Sequence, residues 1–208
     1  MKVLLLNGSP HKNGCTFTAL SEVAEALKEN GIDSEFFHIG SRPIQGCIAC
    51  WKCRETGNGC VFREQLYTEF TGKMKECDGL VIGAPVYYAG PPGSLCAFLD
   101  RAFFSASQVF QGKAAACIVN CRRGGASAAF DRLNKYFTIN SMPVVSSQYW
   151  NQVHGNTPDE VRQDAEGLQT MRTLGSNMAW LLKCIQAGAA AGITFPEREP
   201  AMKTNFIR

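Results

Sequence analysis

The sequence predicts one α/β domain built on a doubly wound parallel sheet, and two observations favour it. Short, continuously apolar segments recur along the 208 residues, and apolar residues at helical spacing follow them. Strands of a parallel sheet are covered by helices on both faces, so they are apolar throughout rather than at alternate positions. The two patterns alternate five times, which is the arrangement of a doubly wound sheet in three layers.

Five segments are predicted as strands: residues 3–6 and 79–84, which are expected to be buried, and residues 35–39, 114–119 and 144–147. Helices are predicted after the first four strands, at residues 17–27, 66–74, 95–102 and 130–137, because apolar side chains recur there every three to four residues. Gly31 supplies a C-terminus for the first helix. Right-handed connections place the loops after strands one, three and four at one edge of the sheet.

The C-terminal part, residues 157–208, is predicted to be one long helix followed by a tail. The stretch TPDE, which begins at Thr157, is a capping box with Pro at the first helical position. Apolar residues continue on one face as far as Ile185, and Gly188 and Gly192 bracket the predicted helix end. Residues 193–208 contain two prolines and are expected to be extended.

Residues 40–62 are polar and rich in Gly and Cys, so we predict an irregular insertion rather than a second domain.

The whole composition, with 45% apolar and 19% charged residues and a net charge of +3, is that of an ordinary globular protein. No run of Lys or Arg stands out, so we expect no nucleic acid partner. The apolar run at the N-terminus is too short for a secretion signal or a span, so we expect a cytoplasmic protein without a membrane partner.

The loop NGSPHKNGCT, from Asn7 to Thr16, leads into the first helix. Its small residues let the backbone approach a ligand, and Ser9 and Thr16 offer hydroxyl groups. The helix N-terminus adds free N–H groups and the positive end of a dipole. These features predict a phosphate site, although an ordinary capped turn has the same composition. Neither a P-loop nor a dinucleotide fingerprint is present, and Asn7 stands where a phosphoacceptor domain would need a carboxylate.

The loops after the third and fourth strands lie at the same predicted edge. Residues 85–93 (PVYYAGPPG) contain Tyr87 and Tyr88, whose rings can flank a planar heterocycle or pack in a core or dimer interface. Residues 120–125 (NCRRGG) offer backbone N–H groups beside two glycines. Arg122 there can steady negative charge on a reduced ring or simply be solvated. Together the three loops predict one ligand, with a phosphate at the first loop and a planar ring between the others.

The stretches GSPHKNGCT, GAPVYYAGPPGSLCAFLDR and NCRRGG resemble, in order and spacing, the flavodoxin-like NAD(P)H-dependent FMN reductases. The resemblance covers residues 2 to about 150. The stretches HGNTPDE and SNMAWLLK that follow are similar to the iron–sulfur flavoprotein-like branch of that family. The resemblance implies the strand order 2-1-3-4-5, FMN as cofactor, NAD(P)H as co-substrate, and a homodimer or homotetramer.

The resemblance also implies which residues hold FMN. They are Ser9, His11, Gly14, Cys15, Thr16 and Phe17 at the phosphate, and Pro85, Val86, Tyr87, Tyr88, Asn120, Cys121, Arg122 and Gly125 at the ring. His11 stands where the family usually has Arg, which gives a weaker and pH-dependent charge. Cys15 stands where Asn is frequent, and a cysteine at a helix N-terminus is expected to have a lowered pKa when the site is empty.

No catalytic side chain is predicted, because the flavin carries its own redox chemistry and the protein supplies binding and orientation. Tyr87, Tyr88 and Arg122 are expected to shape the environment of the ring. His154 lies near the predicted mouth of the site, and we expect a structural histidine there rather than a proton donor to a quinone. His38, at the end of the second strand, is also expected to be structural.

Four of the ten cysteines, Cys47, Cys50, Cys53 and Cys60, lie within fourteen residues. Their spacing resembles the compact motif of iron–sulfur flavoproteins, in which three thiolates wrap one face of a [4Fe–4S] cluster and a fourth closes it. Reduced thiols in the cytoplasm favour metal or redox chemistry over stable disulfides. Free thiols, a disulfide formed on oxidation, and a zinc site remain alternatives, although zinc sites usually pair two short chelates across a longer gap.

Three functions are compatible with these patterns. The first is an FMN-dependent NAD(P)H oxidoreductase whose small-molecule acceptor is a quinone, a nitro or azo compound, or a flavin. The second is an electron carrier that relays single electrons between a ferredoxin-like donor and FMN through the [4Fe–4S] cluster. The third is a non-enzymatic sensor whose flavin and thiols report oxidation.

Overall fold

A computed structural model describes residues 1–202, 204 and 206. Five strands form one parallel sheet in the order β2-β1-β3-β4-β5, as the resemblance implied. The strands are β1 (Lys2–Asn7), β2 (Asp33–His38), β3 (Gly79–Pro85), β4 (Ala114–Cys121) and β5 (Gln152–His154). The helices are α1 (Cys15–Glu29), α2 (Lys52–Thr56), α3 (Gln65–Glu76), α4 (Gly93–Ser105), α5 (Ser107–Phe110), α6 (Ala126–Ile139), α7 (Pro158–Gln163) and α8 (Ala165–Ala190).

Two apolar layers cover the two faces of the sheet, which explains the continuously apolar strands. In β1, Leu4 and Leu6 point into the layer formed with α3, α4 and α6. Val3 and Leu5 point into the opposite layer, formed with α1 and α8. All four side chains are fully buried. Because successive residues of a strand face opposite ways, only an uninterrupted apolar run can fill both layers.

The fifth strand was predicted at residues 144–147, and this position is wrong. The chain touches β4 there at a single bridge, where the Val145 N–H donates to the Ala115 carbonyl at 2.8 Å. It then leaves the sheet, and the Asn151 side-chain amide donates to the Cys117 carbonyl at 3.1 Å in place of a backbone group. Regular pairing resumes at Gln152. The apolar run therefore marks the first contact with β4 rather than the strand itself.

The predicted long C-terminal helix is two helices, α7 and α8. The predicted N-cap is confirmed, since the Glu160 N–H donates to Thr157 Oγ1 at 3.2 Å, whereas the Glu160 carboxylate accepts from the Asn156 N–H at 2.6 Å instead of the Thr157 N–H. The helix is interrupted at Asp164, whose carboxylate accepts from the Gly167 N–H at 2.9 Å and from the His154 N–H at 2.6 Å. The hydrophobic periodicity does not reveal the break between α7 and α8, because Val161 and the apolar face of α8 pack into the same apolar layer. Helix α8 ends at Ala190, between Gly188 and Gly192 as predicted.

The insertion has little regular structure, and residues 193–202 of the tail belong to no helix or strand. Residues 40–62 contain only the five-residue helix α2. In the tail, the Arg198 guanidinium donates to Ser141 Oγ at 2.6 Å and to the Ile139 carbonyl at 3.2 Å, so the tail packs on the end of α6. Tail residues 203, 205, 207 and 208 lie outside the described residues. Of the helices in the described part of the chain, none has the length and apolar character that crossing a membrane requires.

Candidate functional site

The loop after β1 is held in shape by its own hydrogen bonds. Asn7 lies buried beneath it, where its Oδ1 accepts from the Ser9 N–H and its Nδ2 donates to the Lys12 carbonyl, both at 3.0 Å. The Ser9 hydroxyl accepts from the His11 N–H at 3.1 Å. From β2, His38 Nε2 lies 2.8 Å from the Ser9 carbonyl oxygen and must donate, because a carbonyl only accepts. His38 therefore braces the loop, in the structural role expected of it.

Close packing presses this loop onto β3. The Gly8 N–H donates to the Gly83 carbonyl at 2.8 Å. A Cβ atom at Gly8 would lie 2.9 Å from that carbonyl oxygen and 2.5 Å from the Leu95 side chain. Only glycine permits such an approach, so the loop lies against the carboxyl edge of the sheet as predicted.

The N-terminus of α1 has the features of an anion site. Gly14 is the N-cap residue, no side chain caps the helix, and no acidic residue lies in its first turn. The first backbone N–H groups of a helix have no partner within the helix. A phosphate would supply acceptors to these groups and would be favoured by the helix dipole. The residues present therefore fit the phosphate of FMN.

Two side chains of this first turn have other partners. The Thr16 hydroxyl donates to Asn120 Oδ1 at 2.9 Å, and both groups are buried. The Phe17 ring packs against Phe36 of β2, with centroids 4.9 Å apart. A role of Thr16 and Phe17 in phosphate binding therefore falls to their backbone N–H groups. The Thr16 bond also ties the start of α1 to the end of β4.

The expectation of a lowered pKa for Cys15 is wrong. Burial raises the pKa of this thiol above its ordinary value, because a thiolate loses solvation there. Hydrogen bonding to the backbone acts in the opposite direction but is outweighed, and the carboxylate of Glu160 raises the pKa further. Cys15 is half-buried at the site, and a raised pKa favours the neutral thiol over the thiolate.

The loops after β3 and β4 meet at this same edge. The Val86 N–H donates to the Asn120 carbonyl at 2.9 Å. Gly125 has a φ of +89°, and a Cβ atom there would lie 2.8 Å from the Ala89 Cα. Both the backbone conformation and the close approach therefore require glycine at this position. Together with the bond between Thr16 and Asn120, these contacts bring all three predicted loops together.

The loop after β3 contains a turn in an unfavourable conformation. Tyr87 and Gly90 exchange backbone hydrogen bonds of 2.8 and 3.0 Å across it. The central residues, Tyr88 and Ala89, have φ values of 50° and 59°. Left-handed backbone costs a non-glycine residue roughly 1–2 kcal/mol. Such strain is typical of ligand-binding loops. Tyr87 and Tyr88 are exposed, so their rings are accessible to a planar ligand.

The loop after β4 divides into a buried and an exposed part. Cys121 is buried, with its Sγ atom 3.6 Å from His154 Nδ1, and burial raises the pKa of its thiol. Arg122 and Arg123 are exposed. The His154 ring is exposed, whereas its backbone is held by Asp164 and belongs to β5. Cys121 therefore lies beneath the loop, while Arg122 presents its charge at the surface.

The four clustered cysteines of the insertion line one pocket. Its other walls come from the apolar side chains of Ile48, Trp51, Val61, Phe62 and Phe104, and from Arg101 and Ser105 of α4. All four cysteines are free thiols. The open volume is about 20 Å³, so a cluster would require the exposed loop to move outward. Among the described residues, no group of three His, Cys, Asp or Glu side chains is already placed around a metal position.

The backbone of the cysteine segment is strained at Ala49 and Trp51, whose φ values are 52° and 61°. Alternation of left-handed residues turns backbone N–H groups toward one side of a loop, an arrangement that binds anions and iron–sulfur clusters. Four thiols with no competing carboxylate or imidazole are the donor set of a [4Fe–4S] cluster. The residues present therefore fit that group.

The end of the segment at Cys60 is the anchored one. Its N–H donates to the Tyr67 hydroxyl at 3.1 Å, and that hydroxyl lies 2.7 Å from Ser105 Oγ. A Cβ atom at Gly59 would lie 2.9 Å from the Tyr67 hydroxyl, so glycine is needed beside it. Cys60 is buried, whereas Cys47 and Cys50 are exposed. The pocket is therefore held by hydrogen bonds on the side of α3 and α4 and is exposed to solvent on the side of Cys47 and Cys50.

Arg101 is the residue of this pocket that the sequence analysis missed. It is 1% exposed, although arginine is seldom fully buried. A signal was present, because Arg101 follows the apolar Phe98 by three residues and so lies at the border of the apolar stripe of α4.

The pocket and the loop after β3 are also linked through α4. Arg101 lies eight residues beyond Gly93, which is about 12 Å along a helix.

The chain is similar in sequence to several known proteins. The family model described as NADPH-dependent FMN reductase matches residues 1–157. The chain is 32% identical, over 196 residues, to an iron–sulfur flavoprotein of Methanocaldococcus jannaschii, covering 89% of this chain and 100% of that protein. It is 27% identical, over 190 residues, to an iron–sulfur flavoprotein of Methanosarcina thermophila, covering 89% and 97%.

A solved structure supports the fold. The flavodoxin, WrbA-like protein from Agrobacterium tumefaciens superposes with a TM-score of 0.63, covering 88% of this chain and 97% of that one. The two sequences are 16% identical, so the likeness concerns the arrangement of strands and helices alone.

Proposed function

The chain belongs to the NADPH-dependent FMN reductase family, in its iron–sulfur flavoprotein branch, and on that premise we propose an FMN-binding oxidoreductase with two redox centres. The second centre is a [4Fe–4S] cluster on Cys47, Cys50, Cys53 and Cys60. When bound, FMN supplies the chemistry of taking electrons from NAD(P)H and passing them to a small-molecule acceptor or a one-electron partner. The chain supplies binding, orientation and charge.

One observation carries the flavin part of the proposal, namely the uncapped N-terminus of α1 in the middle of three converging loops. The backbone N–H groups from Cys15 to Phe17 would donate to the phosphate. The exposed rings of Tyr87 and Tyr88 would pack against the flavin ring. Arg122 would place a positive charge at the edge of the ring, where negative charge develops on reduction.

A second observation favours the cluster, namely that the four thiols line a single pocket. Cys60 would be the pre-positioned ligand, since α3 and α4 hold its backbone. The half-buried Cys53 and the exposed Cys47 and Cys50 would complete the set. The pocket lies on the helix that begins at the loop after β3, so α4 provides a short connection between the two centres.

Anaerobic purification of the full chain tests the proposal. We expect FMN bound at one per chain, together with iron and labile sulfide in equal amounts close to four per chain. FMN without iron would reduce the proposal to a simple flavin reductase. A protein that stays colourless after FMN is offered would contradict both parts.

The identity of the electron donor distinguishes a reductase from an electron carrier. Rapid oxidation of NADPH or NADH with an artificial acceptor supports a reductase. Slow oxidation of both, together with rapid reduction by a reduced ferredoxin, supports an electron carrier. A serine variant of Cys50, which should hold FMN but no cluster, shows whether ferredoxin electrons enter through the cluster.

A further inference from the structure

Arg101 lies behind the cysteine pocket in an unusual environment. Its guanidinium forms a two-point ion pair with Glu64, in which Nη1 lies 3.0 Å from Oε2 and Nη2 donates to Oε1. The Phe62 and Tyr67 rings flank it, with centroids 5.9 and 5.5 Å from Cζ. Glu64 precedes α3, so this pair also ties α3 to α4.

One atom of this guanidinium has no partner. Arg101 Nε is buried and makes no hydrogen bond, and no other buried side-chain nitrogen or oxygen in the described part of the chain shares this state. Leaving such a donor unpaired costs roughly 1–3 kcal/mol, and more for a charged group. Arg101 itself lines the pocket of the four thiols. A purely structural arginine accounts for the bonds to Glu64 but not for an unpaired Nε in a residue that lines the pocket of the four thiols.

We propose that Arg101 donates its Nε–H group to a sulfur atom of the cluster held by Cys47, Cys50, Cys53 and Cys60, and that its charge favours the reduced cluster. This inference rests on the proposed function, since it concerns the same cluster. Reduction adds one electron, delivered by the flavin or by an external one-electron donor, and breaks no bond. No proton accompanies it, because the guanidinium stays protonated throughout.

The physical reason is the charge of the cluster. Hydrogen bonds to the sulfur atoms and the net charge of the surroundings are among the factors that set cluster potentials. A fixed positive charge stabilises the reduced form more than the oxidised form, because the reduced form is more negative by one unit. Burial increases this effect, since solvent screening around Arg101 is weak. Arg101 therefore raises the reduction potential of the cluster. Its guanidinium is held in position by Glu64, Phe62 and Tyr67.

The test compares the full chain, reconstituted with iron and sulfide, with Arg101→Met, Arg101→Lys and Arg54→Met. Arg54 lies in the insertion next to Cys53 but is exposed, so its variant removes the same charge at a solvated position. The readouts are FMN, iron and sulfide per chain, and the midpoint potential of the cluster in a mediator titration followed by electron paramagnetic resonance.

We expect Arg101→Met to keep FMN and to disfavour the reduced cluster at least tenfold, which is about 59 mV for a one-electron couple. Arg101→Lys should give a smaller shift in the same direction, because it keeps the charge but loses the Nε donor. Arg54→Met should leave the potential unchanged.

A full cluster with an unchanged potential in Arg101→Met would overturn the inference and leave the proposed function standing. If the wild-type chain takes up no iron and sulfide, the cluster proposal fails and the inference fails with it. If Arg101→Met does not fold, as loss of its FMN would show, Arg101→Lys decides the question. A lowered potential there supports the inference, and the wild-type value contradicts it.

Discussion

The flavin loops and the cysteine insertion are built in opposite ways. At the flavin loops, buried polar groups such as Asn7 and Asn120 are hydrogen-bonded inside the protein, and glycines allow backbones to touch. The insertion, residues 40–62, is largely exposed, and its only helix is the five residues of α2. A helix this short is not stable without support. The flavin loops are therefore shaped by the fold. The proposed cluster would supply the support that the cysteine segment lacks, because metal binding and folding are coupled.

Removing one thiol should give the largest effect and separates the two sites. Cys50→Ser is expected to abolish the cluster, because a serine hydroxyl is a poor replacement for a thiolate ligand. FMN should remain at wild-type occupancy. The measurement is iron, sulfide and FMN per chain after anaerobic purification. Cys184→Ser, which alters an exposed thiol of α8, is the control. Loss of FMN together with iron in Cys50→Ser would show that the two sites are not independent.

Crowding the flavin loops should weaken FMN binding without touching the cluster. Gly125→Ala places a Cβ atom 2.8 Å from the Ala89 Cα and strains a φ of +89°. We expect at least a tenfold loss of FMN affinity, which is about 1.4 kcal/mol, measured by flavin fluorescence. Gly124→Ala is the matched control, since a Cβ atom there meets nothing within 4 Å. Equal dissociation constants of the two variants for FMN would show that the close packing at Gly125 does not shape the FMN site.

The bond between Thr16 and Asn120 tests whether side chains or backbone groups bind the phosphate. Thr16→Val leaves the buried Asn120 Oδ1 without its donor, which should lower the free energy of unfolding by about 1–3 kcal/mol. FMN affinity should fall less than tenfold, because the backbone N–H groups remain. Chemical denaturation of FMN-free protein and FMN titration provide the two readouts. Thr16→Ser keeps a hydroxyl and should be nearer to wild type. A large loss of affinity with unchanged stability would assign the hydroxyl to the phosphate instead.

The smallest expected effect is a loss of stability in acid at β2, the edge strand that leads into the insertion. Hydrogen bonds from Lys2 and then Lys73 lower the pKa of Glu35 on β2. Because the folded pKa lies below the unfolded one, this stabilisation is present above the ordinary value of 4.5 and is lost as the pH falls through the folded pKa. The pair is partly solvated, so less than about 1 kcal/mol is expected.

Urea unfolding of wild type and Glu35→Gln below pH 5 measures this difference. The variant should lose less stability on acidification than the wild type. Identical slopes for the two proteins would exclude a role of Glu35 in anchoring β2.

The sequence predicted most of the fold because the signals were local. The apolar runs of β1, β3 and β4 and the N-cap at Thr157 each depend on neighbours in the chain. The prediction failed where a distant partner intervened. The run at 144–147 meets β4 at one bridge, and Asp164 divides the last helix because its carboxylate binds both α8 and β5. Neither interruption changes the hydrophobic pattern, so periodicity could not show it.

The sequence by itself determined the first four strands of the sheet, the three loops at its edge and the presence of four clustered thiols. Only the tertiary structure decided which groups these elements meet. Thr16 finds Asn120 across 104 residues, and Arg101 reaches Glu64 and the cysteine pocket from a different helix. Local spacing sets which face of a strand or helix is apolar. The partner of a buried polar group is set by packing, because desolvation forces that group to bond with whatever the fold places beside it.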